Sequence, residues 1–216
     1  MIYRYPARPL TLLFLRLKVS PNAISIGAIA LSLSGLVLLV SGHGIWGISA
    51  FIMSYILDRC DGEVARGNKR ESVLGLYLET LQSNVFYSSF FMGLGAYVYW
   101  QTNSAVALWL GATIAIFKLI SRHADSTKGR LRQLHKVMEN SRSIFGEESK
   151  FNLKREAFFF IIQSGGMNIL ALVCVLLGFA PYLLLFYTFA LPILTILGIV
   201  ISARELGEVI LKGSKG

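Results

Sequence analysis

Asp58, Asp61, Gly62, Ala65 and Arg66, followed by Gly75, Glu79 and Ser83, are residue types that can do chemistry on an anionic substrate. Asp58 and Asp61 are three apart, so a helix sets both carboxylates toward one face. Gly75, Glu79 and Ser83 follow at spacings of four and share a face of a second helix. If the two helices pack antiparallel about the loop between them, Asp58, Asp61 and Glu79 converge. Three hard oxygen ligands suit Mg²⁺, with Mn²⁺ or Ca²⁺ as alternatives. Such a cation would offset the charge of an anionic substrate and stabilise an anionic leaving group. Gly62, with no Cβ, lets backbone approach such a ligand closely. Ala65, one turn from Asp61, leaves space, and Arg66 can hold a phosphate by charge-assisted hydrogen bonds. Ser83 has no negative charge and is no general base near neutral pH. A proton could then go to Glu79, or an already ionised acceptor would need no base. Taken alone, a D-x-x-D at a helix end reads as solvated surface charge, so the weight falls on the joint pattern.

These groups sit at the end of an apolar run, where ionisable residues mark function by default. The chain has 216 residues, 54% hydrophobic and 15% charged, against about 25% charged in soluble domains. This predicts an all-α, polytopic membrane protein forming one domain over 1–216. A span needs about 20 mostly apolar residues. Six stretches qualify: 22–41, 44–58, 72–100, 104–121, 155–179 and 182–211. The second is apolar only to Leu57 but can continue helically through the D-x-x-D. Residues 1–20 read as an interfacial amphipathic helix, with Arg4, Arg8, Arg16 and Lys18 among Leu and Phe. Ser20-Pro21-Asn22 then starts the first span. The six-helix bundle covers 22–211, with a basic connector at 121–154.

Net charge is +9. With hydrophobicity this high, a basic balance points to an anionic membrane face and not to nucleic acid. Every Lys and Arg falls before the first span, in 59–70, in 118–155 or in 204–215. The turns at Gly42–Gly44, Gln101–Ser104 and Phe179–Pro181 carry no charged residue. The positive-inside tendency therefore places both termini and the Asp58 region in the cytoplasm. Cys60 and Cys174 match neither in compartment nor in depth, so no disulfide is expected. The first apolar run lacks a convincing cleavage site and is kept as a helix of the mature protein.

The run D-x-x-D-G-x-x-A-R-x8-G resembles the signature of the CDP-alcohol phosphotransferase family, membrane enzymes that join a CDP-activated group to an alcohol and release CMP. The family pattern continues with two further aspartates, where this chain has Glu79 and Ser83. The resemblance extends to six spans, to the motif crossing the end of the second and start of the third, and to a Pro-Asn near the first, as Pro21-Asn22 here. It implies that Asp58, Asp61 and Glu79 bind the metal, and that Gly62, Ala65, Arg66, Gly75 and Asn22 form the CDP-binding surface. Glu79 keeps a carboxylate on a longer arm; Ser83 stands where the family has the base for the acceptor hydroxyl. The implied reaction takes CDP-diacylglycerol or a soluble CDP-alcohol as donor and an alcohol as acceptor, one of them a lipid. A homodimer is implied by the resemblance alone. The rival readings are a degenerate, non-catalytic CDP-binding subunit or inactivated variant, with Ser83 as support, and a small transporter or channel-like protein that merely carries an Asp-rich helix end.

Lys118 and Arg122 share a face at the cytoplasmic end of the fourth span, where they could receive an anionic acceptor or snorkel to the interface. His123 and Asp125 read as ordinary loop polarity. Gln163, Ser164 and Asn168 read as helix–helix hydrogen-bonding groups, and Tyr55 as interfacial packing.

Overall fold

The computed structural model describes the backbone of residues 4–67, 72–139 and 165–213, and the side chains of 7–67, 72–127 and 167–203. Among the described residues there are seven helices and no strand: α1 (Arg4–Arg16), α2 (Pro21–Val40), α3 (Gly44–Gly67), α4 (Val73–Thr102), α5 (Val106–Glu139), α6 (Gly165–Leu176) and α7 (Ala180–Gly213).

The helix ends have local causes. Lys18 takes a left-handed φ of 53°, which stops α1 and turns the chain. Ser20 then caps α2, its Oγ accepting the Ala23 N–H at 3.3 Å, with Pro21 in the first turn. Gly42 leaves α2 at φ +81°, a conformation glycine adopts without steric cost. His43 N–H bonds back to the Leu38 carbonyl at 2.8 Å, which closes the turn into α3. Ser72 caps α4 by accepting the Gly75 N–H at 3.0 Å.

Small residues let the helices approach. A Cβ at Gly35 of α2 would fall 2.8 Å from the Phe51 ring of α3, and one at Gly95 of α4 would fall 2.6 Å from the Ala107 carbonyl of α5. Polar pairs join the same surfaces, as is usual between helices in apolar surroundings. Ser32 and Ser54 lie 2.8 Å apart, and Ser54 donates to the Ala28 carbonyl at 2.7 Å. Phe51, Phe86 and Phe90 fill the centre edge-to-face and stacked. α4 packs along α2 and equally along α5, and meets α3 mainly through Phe86 and Phe90. α5 follows α4, α7 packs on α5, and α1 and α6 lie against α3. Large apolar side chains such as Trp46, Trp109 and Phe189 cover the outer surface.

Three described helices are long and apolar enough to cross a membrane: Pro21–Val40, Val106–Thr127 and Ala180–Ala203. The expected spans 44–58 and 72–100 are helical, as α3 and α4, but fall below that measure. α3 ends in Asp58, Arg59, Asp61, Glu63 and Arg66, and the first half of α4 carries Glu79, Gln82, Ser83 and Asn84. The fifth expected span, 155–179, is described only from Gly165, and its helix stops at Leu176, shortly before Gly178 at φ +75°. The connector expected at 121–154, with its helix-favouring stretches, begins as helix, since α5 runs on to Glu139; its remainder lies outside the described residues.

Candidate functional site

Three helix ends enclose a cavity of about 230 Å³. The first turns of α2 supply Pro21, Asn22 and Ser25; the end of α3 supplies Asp61, Gly62, Ala65 and Arg66. Ser72 and the start of α4 add Gly75, Leu76 and Glu79. The Ser20 and Ser72 caps fix where α2 and α4 begin, so their free N-terminal turns open on the same space.

Asp61 is buried, with both oxygens engaged: Oδ2 accepts from Ser25 Oγ at 2.6 Å and Oδ1 from the Gly62 N–H at 2.6 Å. It lies beyond the apolar part of α3. Burial pushes its carboxyl up to about 6, Ser25 and the Gly62 N–H act the other way, and the nearby Glu79 charge adds to the rise. Glu79 is exposed and faces the same space from α4. The Arg66 guanidinium folds back over the Gly62 backbone, where a Cβ would touch Nη1 at 3.5 Å, an ordinary contact. A Cβ on Gly75 would press on Ser72 Oγ at 3.3 Å and approach Asn22 Oδ1 at 3.8 Å, crowding the cavity wall.

The cavity thus brings together Asn22, Asp61, Gly62, Ala65, Arg66, Gly75 and Glu79, but not Asp58, Ser83, Lys118 or Arg122. Asp58 is half-buried on the neighbouring side of α3, within electrostatic reach of Asp61, Glu79 and Arg122. Ser83, half-buried, is one turn deeper than Glu79; the wall ends at Glu79 because the row of α4 facing α2 and α3 continues through Gln82 and Phe86.

Lys118 and Arg122 lie beside the Tyr87 ring, with Nζ at 4.6 Å and Cζ at 5.1 Å from its centroid. Tyr55 does more than pack at an interface. Its hydroxyl accepts from Arg59 Nη2 at 2.7 Å, and the guanidinium carbon stands 5.1 Å from its ring centroid. Tyr55, Arg59, Tyr87, Lys118 and Arg122 therefore form an aromatic and cationic group on the Asp58 side. Sequence reasoning missed Ser25 and Ser72 in the cavity; Ser72 carried the signal of a cap just before an apolar run. It also missed Tyr87, whose only signal was its i+4 spacing from Ser83. His123 and Asp125 are exposed. Asn168 is fully buried, and among the described residues neither amide atom has a hydrogen-bond partner. Gln163 and Ser164 lie outside the described residues.

Among the described residues no three His, Cys, Asp or Glu side chains are grouped so as to hold a metal ion by themselves. The donors present are nevertheless of the right kind. Asp61 and Glu79 are hard oxygen ligands on one cavity wall with Asp58 close behind, and a diphosphate would bring further oxygens. The fit is to a cation shared with substrate, not to a closed protein cage.

An all-helical architecture with membrane-length apolar helices and a carboxylate-and-arginine cavity at the helix ends defines a membrane-embedded protein that handles a polar, anionic group. Residues 18–190 match the family model for CDP-alcohol phosphatidyltransferase, and the chain belongs to that family. Membership implies transfer of a phosphatidyl group from a CDP-linked donor to an acceptor alcohol. No curated protein gives a significant match to the chain.

Proposed function

We propose that the cavity binds the cytidine diphosphate part of a CDP-linked donor and that the protein transfers the attached phosphate-linked group to an alcohol, releasing CMP. The observation that carries this reading is the meeting of Asp61, Gly62, Arg66, Gly75 and Glu79 with Asn22 in one cavity. Arg66 holds a phosphate through its guanidinium fork. Gly62 and Gly75 keep the walls clear for it. Ser25 and the Gly62 N–H hold Asp61 in one orientation. Asp61 and Glu79, with Asp58 behind them, are the residues that would hold Mg²⁺ or Mn²⁺. When bound, the cation supplies charge neutralisation of the diphosphate and of the departing CMP. Glu79 is the carboxylate positioned at the cavity to accept the acceptor's proton. Lys118 and Arg122 give an anionic acceptor a place beside Asp58. The reaction site faces the cytoplasm, both termini lie on that side, and the protein works as a homodimer in phospholipid biosynthesis.

Thermal shift of the detergent-solubilised protein tests the donor site. CMP and CDP-diacylglycerol should each raise the melting temperature, and more so with Mg²⁺ or Mn²⁺. Absence of any cytidine-nucleotide effect would exclude the reading. The alternative, a non-catalytic CDP-binding subunit, is favoured by Ser83. CMP release separates the two: a binding subunit is stabilised by CMP but releases none from any donor and acceptor pair.

A further inference from the structure

Glu63 belongs to the acidic motif by position but not to the cavity, although Gly62 and Ala65 on either side of it line the wall. It turns to the back of α3, where α1 lies. The two helices meet in a regular, parallel register. Ala7 and Cys60 are both wholly buried, with Cys60 Sγ 3.5 Å from the Ala7 carbonyl. Thr11 Oγ1 stands 2.9 Å from Glu63 Oε2 and 3.0 Å from the Ala7 carbonyl. Leu15 reaches within 3.5 Å of the place a Gly67 Cβ would occupy. Residues 7, 11 and 15 of α1 thus follow 60, 63 and 67 of α3 in step. A hydroxyl has one hydrogen and an ionised carboxylate only accepts. Thr11 therefore donates, shared between Glu63 and the Ala7 carbonyl, and the Cys60 thiol donates to Ala7. Thr11 is 7% exposed and Glu63 half-buried, so this contact is partly shielded from water. On the opposite face α1 exposes Arg8, Leu12, Leu13 and Arg16, with Leu17 just after its end, and it contains no acidic residue. That mix of cationic and apolar side chains suits an anionic bilayer surface.

We infer that Thr11 and Glu63 form a latch through which the surface helix α1 positions the motif end of α3 for nucleotide binding. The inference rests on reading the cavity as a cytidine-nucleotide site. Thr11 and Glu63 are positioning residues: they touch no substrate, and they hold the back of the helix whose front carries Asp61, Gly62 and Arg66. Release of the latch lowers the fraction of molecules with the motif in place. Apparent nucleotide affinity falls by that fraction, while the molecules that do bind are unchanged.

The test compares wild type with Thr11→Val, Thr11→Ser and Glu63→Ala in a Cys174→Ala background, using CMP with Mg²⁺ as the probe. Thr11→Val keeps the volume and removes the donor. A hydrogen bond to a charged group in this setting corresponds to about a tenfold change in equilibrium. Thr11→Val should raise the apparent Kd for CMP measurably, by at most that factor of about ten, Thr11→Ser should stay near wild type, and Glu63→Ala should match Thr11→Val. The double variant Thr11→Val/Glu63→Ala should be no worse than either single one. Cys60, buried beneath α1, should react faster with maleimide in Thr11→Val. In turnover with CDP-diacylglycerol the loss should fall on KM and not on kcat. Wild-type CMP affinity in Thr11→Val overturns the inference, whether or not Cys60 becomes reactive. So does weakened binding with no change at Cys60, because Thr11 would then act by another route. Failure of wild type itself to bind CMP overturns the nucleotide reading and this inference with it.

Discussion

Asp61 meets a fixed donor at each oxygen, Ser25 on α2 and the Gly62 N–H on its own helix. Asparagine there would keep the shape, lose the charge and set an NH₂ against one of those donors. Asp61→Asn should therefore abolish Mg²⁺-dependent stabilisation by CMP in a thermal-shift titration; undiminished stabilisation would assign the carboxylate another purpose. Arg66 is exposed and free to close on a ligand. Arg66→Ala should weaken CMP binding by about 1.5 kcal/mol, the lower figure for a hydrogen bond to a charged group. Arg66→Lys should cost less, since lysine keeps the charge and loses only the planar fork. Ser83 supplies neither a ligand nor a base. Ser83→Asp should raise CMP release with a neutral alcohol acceptor, because general-base assistance contributes roughly 10²–10⁴-fold. Rapid turnover by wild type that falls in Ser83→Asp would mean that the serine suits a different acceptor, an ionised one beside Lys118 and Arg122.

At the level of helices, the close contact of α4 with α5 sets how the second half of the bundle rests on the first. Gly95 and Gly111 face each other, and a Cβ at Gly95 would stand 2.6 Å from the Ala107 carbonyl and 2.9 Å from Gly111 Cα. Both neighbours are backbone, so the helices would have to part. Gly95→Ala should lower stability by about 1–3 kcal/mol, the usual effect of overpacking, seen as a lower melting temperature in detergent. Gly198→Ala on α7, with nothing near its added methyl, should not. The motif residues were legible because their types and spacings are local. Helix starts were legible where a serine cap and a proline stand together, as at Ser20-Pro21. The length of α5 was not, because residues after Lys118 are charged, and a polar composition suggests a loop without preventing a helix. The division between Asp58 and Asp61 was not legible either. Antiparallel packing of α3 on α4 would have aimed both carboxylates at Glu79. Instead α4 lies along α2, which brings Asn22 and Ser25 into the cavity and leaves Asp58 to the Arg122 side. That choice rests on Gly93 receiving Leu39, whose side chain a Cβ there would meet at 2.8 Å. No single-helix pattern records such a contact.

Across the whole molecule, polar chemistry and plain turns are at opposite ends. Trp100 Nε1 donates to the Val40 carbonyl at 2.6 Å, and a Cβ at Gly44 would meet the Tyr97 ring. The end of α2, the start of α3 and the end of α4 are therefore gathered at one pole. The connections there hold no Lys, Arg, Asp or Glu between Ser41 and Gly44 or between Gln101 and Ser104. The other pole carries Asp61, Arg66, Ser72 and Glu79 around the cavity, with the basic face of α1 beside it. A bilayer between the poles would leave the basic one in the cytoplasm, because cytoplasmic segments retain Lys and Arg. In a variant with Cys60→Ala and Cys174→Ala, single cysteines at His43 and Ala105, both exposed, should react with an impermeant maleimide added outside intact cells. One at Ser126, exposed on the extension of α5, should react only after the cells are opened. Labelling of Ser126→Cys from outside would reverse the orientation and put the cavity on the wrong side for a cytoplasmic CDP-linked donor. Protection of His43→Cys in intact cells, with Ser126→Cys also protected, would instead keep the cavity's side and place the opposite pole within the bilayer or a subunit contact.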